Sequence, residues 1–304
     1  MRTILGAGAR GAIVRQVQAQ LAAKGFSPGA IDGDYGGGTT RAVSGFQGVN
    51  GLAVSGIVDD GSWAGLMGTA VPAVADRALQ LTANFEGQGF ELAVGNFDGA
   101  LLTWGIVGFT MKAGEVQKIV LEINATNPEI VAAAFGDRTT TLLNMMNDTQ
   151  ANQLAWANSI SLPGGSLAQP WRGMFGAFGA NPVVQAKQLE HVKKDYTEPS
   201  IQLARFYGLK SELGMALCFD VQVQDGGIHQ AARQIIKAGR AEATGESDLL
   251  KLIANAVGSS SGKFSADVTA RKHAIATGTG TVHGKNYVLA NWGLDSAFEA
   301  AELA

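Results

Sequence analysis

Two short runs decide how this chain is read: Asn84-Phe85-Glu86-Gly87, and then Asn96-Phe97-Asp98-Gly99-Ala100-Leu101-Leu102-Thr103-Trp104-Gly105-Ile106-Val107-Gly108-Phe109. Glu86 closes an apolar helical run containing Ala78, Leu79 and Leu81, so it is expected where a helix meets a loop. Asp98 follows twelve residues later, in the turn Asn96-Phe97-Asp98-Gly99 of a strand region over 92–110. Two carboxylates in unlike surroundings are the minimum for hydrolysing a glycosidic bond. Apolar neighbours such as Phe85 favour a protonated Glu86, whereas a polar turn keeps Asp98 ionised. The pattern predicts Glu86 as general acid, Asp98 as general base, and Thr103 as the group that holds the attacking water. Spacing alone favours a plainer reading, a solvated helix end and an ordinary Asp-Gly turn.

Outward from these runs the sequence is mostly helical. Val116, Ile119, Val120 and Ile123 recur at i, i+3, i+4 and i+7. Asn181-Pro182 reads as N-cap and first helical position of a helix through about Tyr196. Pro199 opens a helix closed by Gly208, and Ser211 starts one through the apolar run Leu213 to Val223, expected to be the buried central helix. Residues 228–238, 247–257 and 266–276 complete the predicted set.

The character of the chain changes near residue 70. Residues 1–70 carry five Lys/Arg, four Asp/Glu and 16 of the 41 glycines. A weak internal repeat runs through them: Val14, Val17, Gln18 and Leu21 lead into Lys24-Gly25-Phe26, and Ala42, Val43, Phe46 and Gln47 lead into Asn50-Gly51-Leu52. Each half is a helix stopped by glycine. Thr39 or Thr40 is expected to cap the second helix, and a third should hold Ser62, Trp63 and Leu66. Gly6-Ala7-Gly8-Ala9-Arg10-Gly11 matches a dinucleotide-binding fingerprint by letter, but only five residues precede it and Asp32 falls between two helices, so it is set aside. The expected architecture is mainly α (α+β): an N-terminal three-helix bundle over 1–70, and a helical domain over 75–304 with a small β-hairpin.

Two family resemblances sharpen this. The string Ile31-Asp32-Gly33-Asp34-Tyr35-Gly36, Thr39, Ala42-Val43, Phe46-Gln47, Gly51-Leu52 and Trp63 resembles the three-helix peptidoglycan-binding domain. The resemblance implies a non-catalytic module whose partner is bacterial peptidoglycan, with Tyr35 and Trp63 as aromatic candidates for stacking on sugar; Trp63 reads equally as core. The runs around Glu86, Asp98 and Thr103-Trp104-Gly105-Ile106-Val107-Gly108-Phe109 resemble the lysozyme superfamily, and within it the chitosanases of glycoside hydrolase family 46. That likeness implies a lysozyme-like fold, the acid, base and water-positioning roles of Glu86, Asp98 and Thr103, and a buried Asp220 that supports the site through arginines, with Arg271 as a partner. The segment from Glu86 to Asp98 is shorter than in chitosanases and nearer to phage-type lysozymes.

Composition removes other classes. A net charge of −3 gives no basic footprint for nucleic acid. No apolar run is long enough to span a bilayer. Four scattered histidines and one cysteine, Cys218, leave no multi-cysteine zinc site, so neither metal nor cofactor is expected. The expectation is a monomeric peptidoglycan hydrolase of endolysin type, inverting in the sense that a water is activated between acid and base, and a muramidase in preference to two alternatives: a chitosanase with a wall-binding module, or a non-catalytic wall-binding protein. The run Met1-Arg2-Thr3-Ile4-Leu5-Gly6 lacks the apolar core of a secretory signal, so the chain is expected to be made in a host cytoplasm and to reach the wall after release.

Overall fold

The computed structural model describes residues 1–87, 89–96 and 99–304. By contacts the chain divides into two compact units, Met1–Phe85 with Tyr196–Ala304, and Glu86–Asp195. The fold is mainly helical with small antiparallel sheets.

The first unit begins with the three predicted helices, Ala12–Ala23, Gly37–Val49 and Asp60–Met67. Strand Thr3–Leu5 pairs antiparallel with Val58–Asp59 beside them. The internal repeat has a physical content: each half buries one glutamine whose amide holds the turn that follows. Gln18 Oε1 accepts from Gly33 N at 2.8 Å while its Nε2 donates to Asp34 O at 3.0 Å. Gln47 Oε1 accepts from Ser55 N and Gly56 N, both at 2.9 Å, and its Nε2 donates to Ile57 O at 2.8 Å. Burying an amide is tolerated because its polar atoms are paired. The second helix starts at Gly37 without a side-chain cap, so neither threonine caps it. Thr39 instead accepts from Gln18 Nε2, and Thr40 donates to Gly36 O.

The same unit continues with the helix Val74–Glu86 and, after the second unit, with helices Glu198–Tyr207, Glu212–Asp225, Gln230–Gly239, Glu246–Ser259 and Ser265–Thr277. Glu212–Asp225 is the central helix: every residue from Glu212 through Val221 is buried. A hairpin, Thr279–Val282 with Lys285–Val288, follows the last of them and lies outside the strand expected from sequence.

The second unit holds a three-stranded antiparallel sheet of two-residue strands, Ala93–Val94, Thr103–Trp104 and Phe109–Thr110. The α-helices Glu115–Thr126, Pro128–Phe135, Thr139–Met146, Gln150–Ser159, Trp171–Ala180 and Pro182–Val192 follow. Its core is aromatic. Trp104 is fully buried, stacks on Phe178 with centroids 5.4 Å apart, and donates its indole N–H to Phe175 O. The helix read as running to Tyr196 ends at Val192 and passes through a π-helical turn, Lys193–Thr197.

Candidate active site

Glu86 is the last residue of the Val74–Glu86 helix and is half-buried. The turn before it is held from three sides within the first unit. Thr82 donates to Asp220 Oδ1 at 2.9 Å. Asn84 Oδ1 accepts from the Tyr287 hydroxyl at 2.9 Å. Phe85 packs edge-on against Tyr287 at 4.8 Å, and the Arg271 guanidinium lies 5.2 Å from its ring centre. A cation over an aromatic face, removed from water, is attractive.

Asp220 is the hub of this brace and is fully buried. Arg271 donates from Nε to Asp220 Oδ2 at 3.1 Å and from Nη2 to Oδ1 at 2.8 Å, the fork geometry that guanidinium and carboxylate share. Lys272, also fully buried, donates to Asp220 Oδ2 at 2.7 Å and to Gln224 Oε1 at 2.7 Å, and lies 2.9 Å from Asp225. Burial pushes the Asp220 carboxyl up, but the charges and hydrogen bonds of Arg271 and Lys272 outweigh it and hold the pKa at about 2. Asp225, with the weaker pairing, is pushed up by its burial.

The structure brings Asp220 and Arg271 together and adds Lys272, Thr82 and Tyr287, which the sequence reading does not name. Lys272 carried a signal in the sequence. Val268, Arg271, Lys272 and Ile275 occupy i, i+3, i+4 and i+7 of one helix, which places both cations on its buried stripe.

The hairpin of the second unit is built differently. Asp98 lies outside the described residues. Among the described neighbours, Asn96 Oδ1 accepts from Gly99 N at 3.1 Å and Leu101 N at 3.2 Å. Asn96 N in turn donates to Ser161 Oγ at 2.8 Å. Leu101, buried, adopts φ 72°, a conformation that costs a residue with a Cβ about 1–3 kcal/mol and persists where surroundings impose it. Two residues on, Thr103 is half-buried in the middle strand, opposite Val94 on one side and Thr110 on the other. Gly105 has φ 90°, and a Cβ there would meet Gln188 Oε1 at 2.5 Å. That fully buried glutamine accepts from Ile106 N at 3.0 Å and donates to Phe90 O at 3.1 Å, fixing the strand turn. An open concavity of about 410 Å³ is lined by Gly99, Ala100, Thr110, Lys112 and Ala113.

Tyr35 and Trp63 stand in the core rather than on the surface, each 2% exposed. The Tyr35 hydroxyl donates to Gly56 O and the Trp63 indole to Thr69 O, so both polar ends are satisfied inside the module. Their burial is the physical reason against the stacking role. Cys218 is buried and burial pushes its thiol up, which keeps it protonated and unreactive. Among the described residues no group of three or more His, Cys, Asp or Glu side chains is placed to hold a metal ion. Among them, too, no helix is long and apolar enough to cross a membrane.

Residues 10–66 match the family described as "Putative peptidoglycan binding domain". No curated protein matches the chain. Among solved structures, the chain is similar to a GH46 chitosanase of Gynuella sunshinyii in complex with chitotetraose, at 18% identity and TM-score 0.55, covering 72% of this chain and 99% of that one. A mutant chitosanase from Bacillus subtilis complexed with 6 GlcN aligns at 16% identity and TM-score 0.45, over 69% of this chain and 89% of that one. A Burkholderia AP3 phage endolysin aligns at 19% identity and TM-score 0.20, over 71% of this chain and 97% of that one. The chain therefore combines a match to a peptidoglycan-binding module at its N-terminus with a fold that resembles GH46 chitosanase.

Proposed function

We propose that this chain is a glycoside hydrolase that cuts β-1,4-linked amino-sugar glycan, with a chitosanase-like fold and a wall-binding module over residues 1–70. The observation that carries the reading is the buried brace of Asp220, Arg271 and Lys272 behind the helix end that bears Glu86, in a chain whose fold resembles a chitosanase. A buried charge cluster is costly to maintain, and one that fixes the last turn before a carboxylate supports a catalytic role for that carboxylate. In this reading Glu86 protonates the leaving oxygen, Asp98 activates a water, and Thr103 positions it. Asp220 and Arg271 act through Phe85 and Thr82 as positioning residues. The reaction then inverts the anomeric centre, since the water needs room between the two carboxyl groups. Early-time NMR of the product anomer tests that point.

Between substrates, the likeness to a chitosanase supports chitosan, a polycation. A specific observation favours peptidoglycan as the second reading: Lys112 lines the concavity at the hairpin, and residues 10–66 match a peptidoglycan-binding family. A cation on the wall of a groove repels a polycationic chain and attracts an anionic one. On that reading the enzyme is a muramidase of endolysin type, delivered to the wall from the cytoplasm. Digesting chitosan and purified peptidoglycan side by side, with mass spectrometry of the released ends, separates the two. Glucosamine ends from chitosan alone support the chitosanase; reducing muramic ends from peptidoglycan support the muramidase. No cleavage of either by folded protein sinks both.

A further inference from the structure

The three-helix module shares the first compact unit with the helix that carries Glu86, and the seam between them is built in detail. Helix Ala12–Ala23 has no side-chain cap of its own at Gly11. One of its free amide groups, Ile13 N, donates instead to Gln80 Oε1 at 2.9 Å, so a residue of the Val74–Glu86 helix supplies the missing acceptor. Gly6 N donates to Asn291 O at 2.8 Å, and Asn291 Nδ2 returns a bond to Ala7 O at 2.9 Å. Arg2 pairs with Glu212 at the start of the central helix, a carboxylate with no exposure, which also accepts from Arg77 at 3.0 Å and from Asp295 N at 3.1 Å.

Glycines line the seam where the two parts come closest. A Cβ on Gly6 would lie 2.7 Å from Asn291 Oδ1, one on Gly11 2.6 Å from Gln80 Cγ, and one on Gly293 2.6 Å from the Ile4 carbonyl oxygen. Ile4 and Leu5 have no exposure. A module on a flexible tether needs none of these features. Its amide groups could be satisfied by water, and Gly6, the one of the three without a positive φ, could carry a side chain.

We infer that the module's face formed by Arg2, Gly6, Ala7, Gly11 and Ile13 is a permanent docking surface whose partner is this chain's own Gln80, Glu212 and Asn291. The module is then a fixed part of the helical unit, and whatever surface it binds orients the helix that carries Glu86. This rests on contacts within one unit and holds whichever glycan is cut, so its failure is separate from failure of the enzymatic reading.

The experiment inserts a protease site between Ala70 and Val71 of the full-length chain and cuts it after folding. The inference expects the nicked halves to co-elute on gel filtration at the volume of the uncut protein, and native mass spectrometry to show a 1:1 complex. Halves that separate under native conditions overturn it. Arg2→Glu, which sets like charges together at Glu212, is expected to weaken association of the nicked halves at least tenfold, with circular dichroism of the uncut variant as the folding control. Should that variant fail to fold, Gly6→Leu takes its place, since the backbone there accepts a side chain and only the contact with Asn291 forbids one. Nicked halves of a folded variant that remain as tightly joined as wild type also overturn the assignment of these residues.

Discussion

The two regions that bear the candidate residues are held by opposite means. The end of the Val74–Glu86 helix is set by side chains: a fully buried carboxylate, two fully buried cations, a threonine, a tyrosine and an aromatic ring. The hairpin that bears Thr103 is set by backbone: two-residue strands, a non-glycine residue at positive φ, glycines at positive φ, and carboxamides that tie the turns. Side-chain charge makes the first region sensitive to pH and to deletion of any one partner. Backbone geometry makes the second sensitive to an added Cβ.

The comparison breaks most readily at Asp220. Asp220→Ala removes the buried carboxylate that both Arg271 and Lys272 reach and should cost about 3–5 kcal/mol in urea unfolding. A loss under about 1 kcal/mol would show that the brace is not what holds the helix end. Gly105→Ala tests the hairpin in the same way. It places a Cβ against Gln188 at a positive φ, and a loss of about 1–3 kcal/mol is expected, with a lowered melting temperature as the readout.

The pH response sharpens the contrast. Asp220 is held at about 2 in the folded chain, below its ordinary value of 3.8. A depressed carboxyl pKa contributes stability that is complete above the unfolded value and lost as pH falls through the folded one. Wild type should therefore lose stability between about pH 4 and pH 2, and Asp220→Asn, less stable at neutral pH, should show a flatter acid limb. Equal slopes in the two proteins would count against the pairing. The smallest structural effect is expected at Thr103→Ala: a stability change within about 0.5 kcal/mol, as for a half-exposed site. Turnover should nonetheless fall, measured on soluble oligosaccharide, if the hydroxyl holds the water. Unchanged turnover would reduce Thr103 to a strand residue.

Much of this was legible because the determining signals are local. Apolar spacing and glycine stops mark the module's helices, and Asn181-Pro182, Gly208 and Ser211 mark the ends of three others. The two-residue strands were legible as a region but not in their bounds, because pairing over so few residues leaves little alternation to read. The hairpin at 279–288 has a signal, two four-residue runs around His283-Gly284, both at positive φ, but it is weak beside the helical pattern preceding it. The short helices between Pro128 and Ser159 are too brief for periodicity to separate them. Burial of Tyr35 and Trp63 illustrates a general limit: an aromatic residue in a small module reads alike as core or as ligand platform until its neighbours are known.

The central claim is that Glu86 is the proton donor of a glycosidase, and one substitution addresses it directly. Glu86→Gln keeps the size and hydrogen-bonding capacity of the side chain and removes the acid. Initial rates on whichever glycan the wild type cuts, measured beside a thermal melt of both proteins, should show turnover reduced by about 10²–10⁴ with the melting temperature essentially unchanged. A folded Glu86→Gln protein that retains near-wild-type turnover would contradict the account.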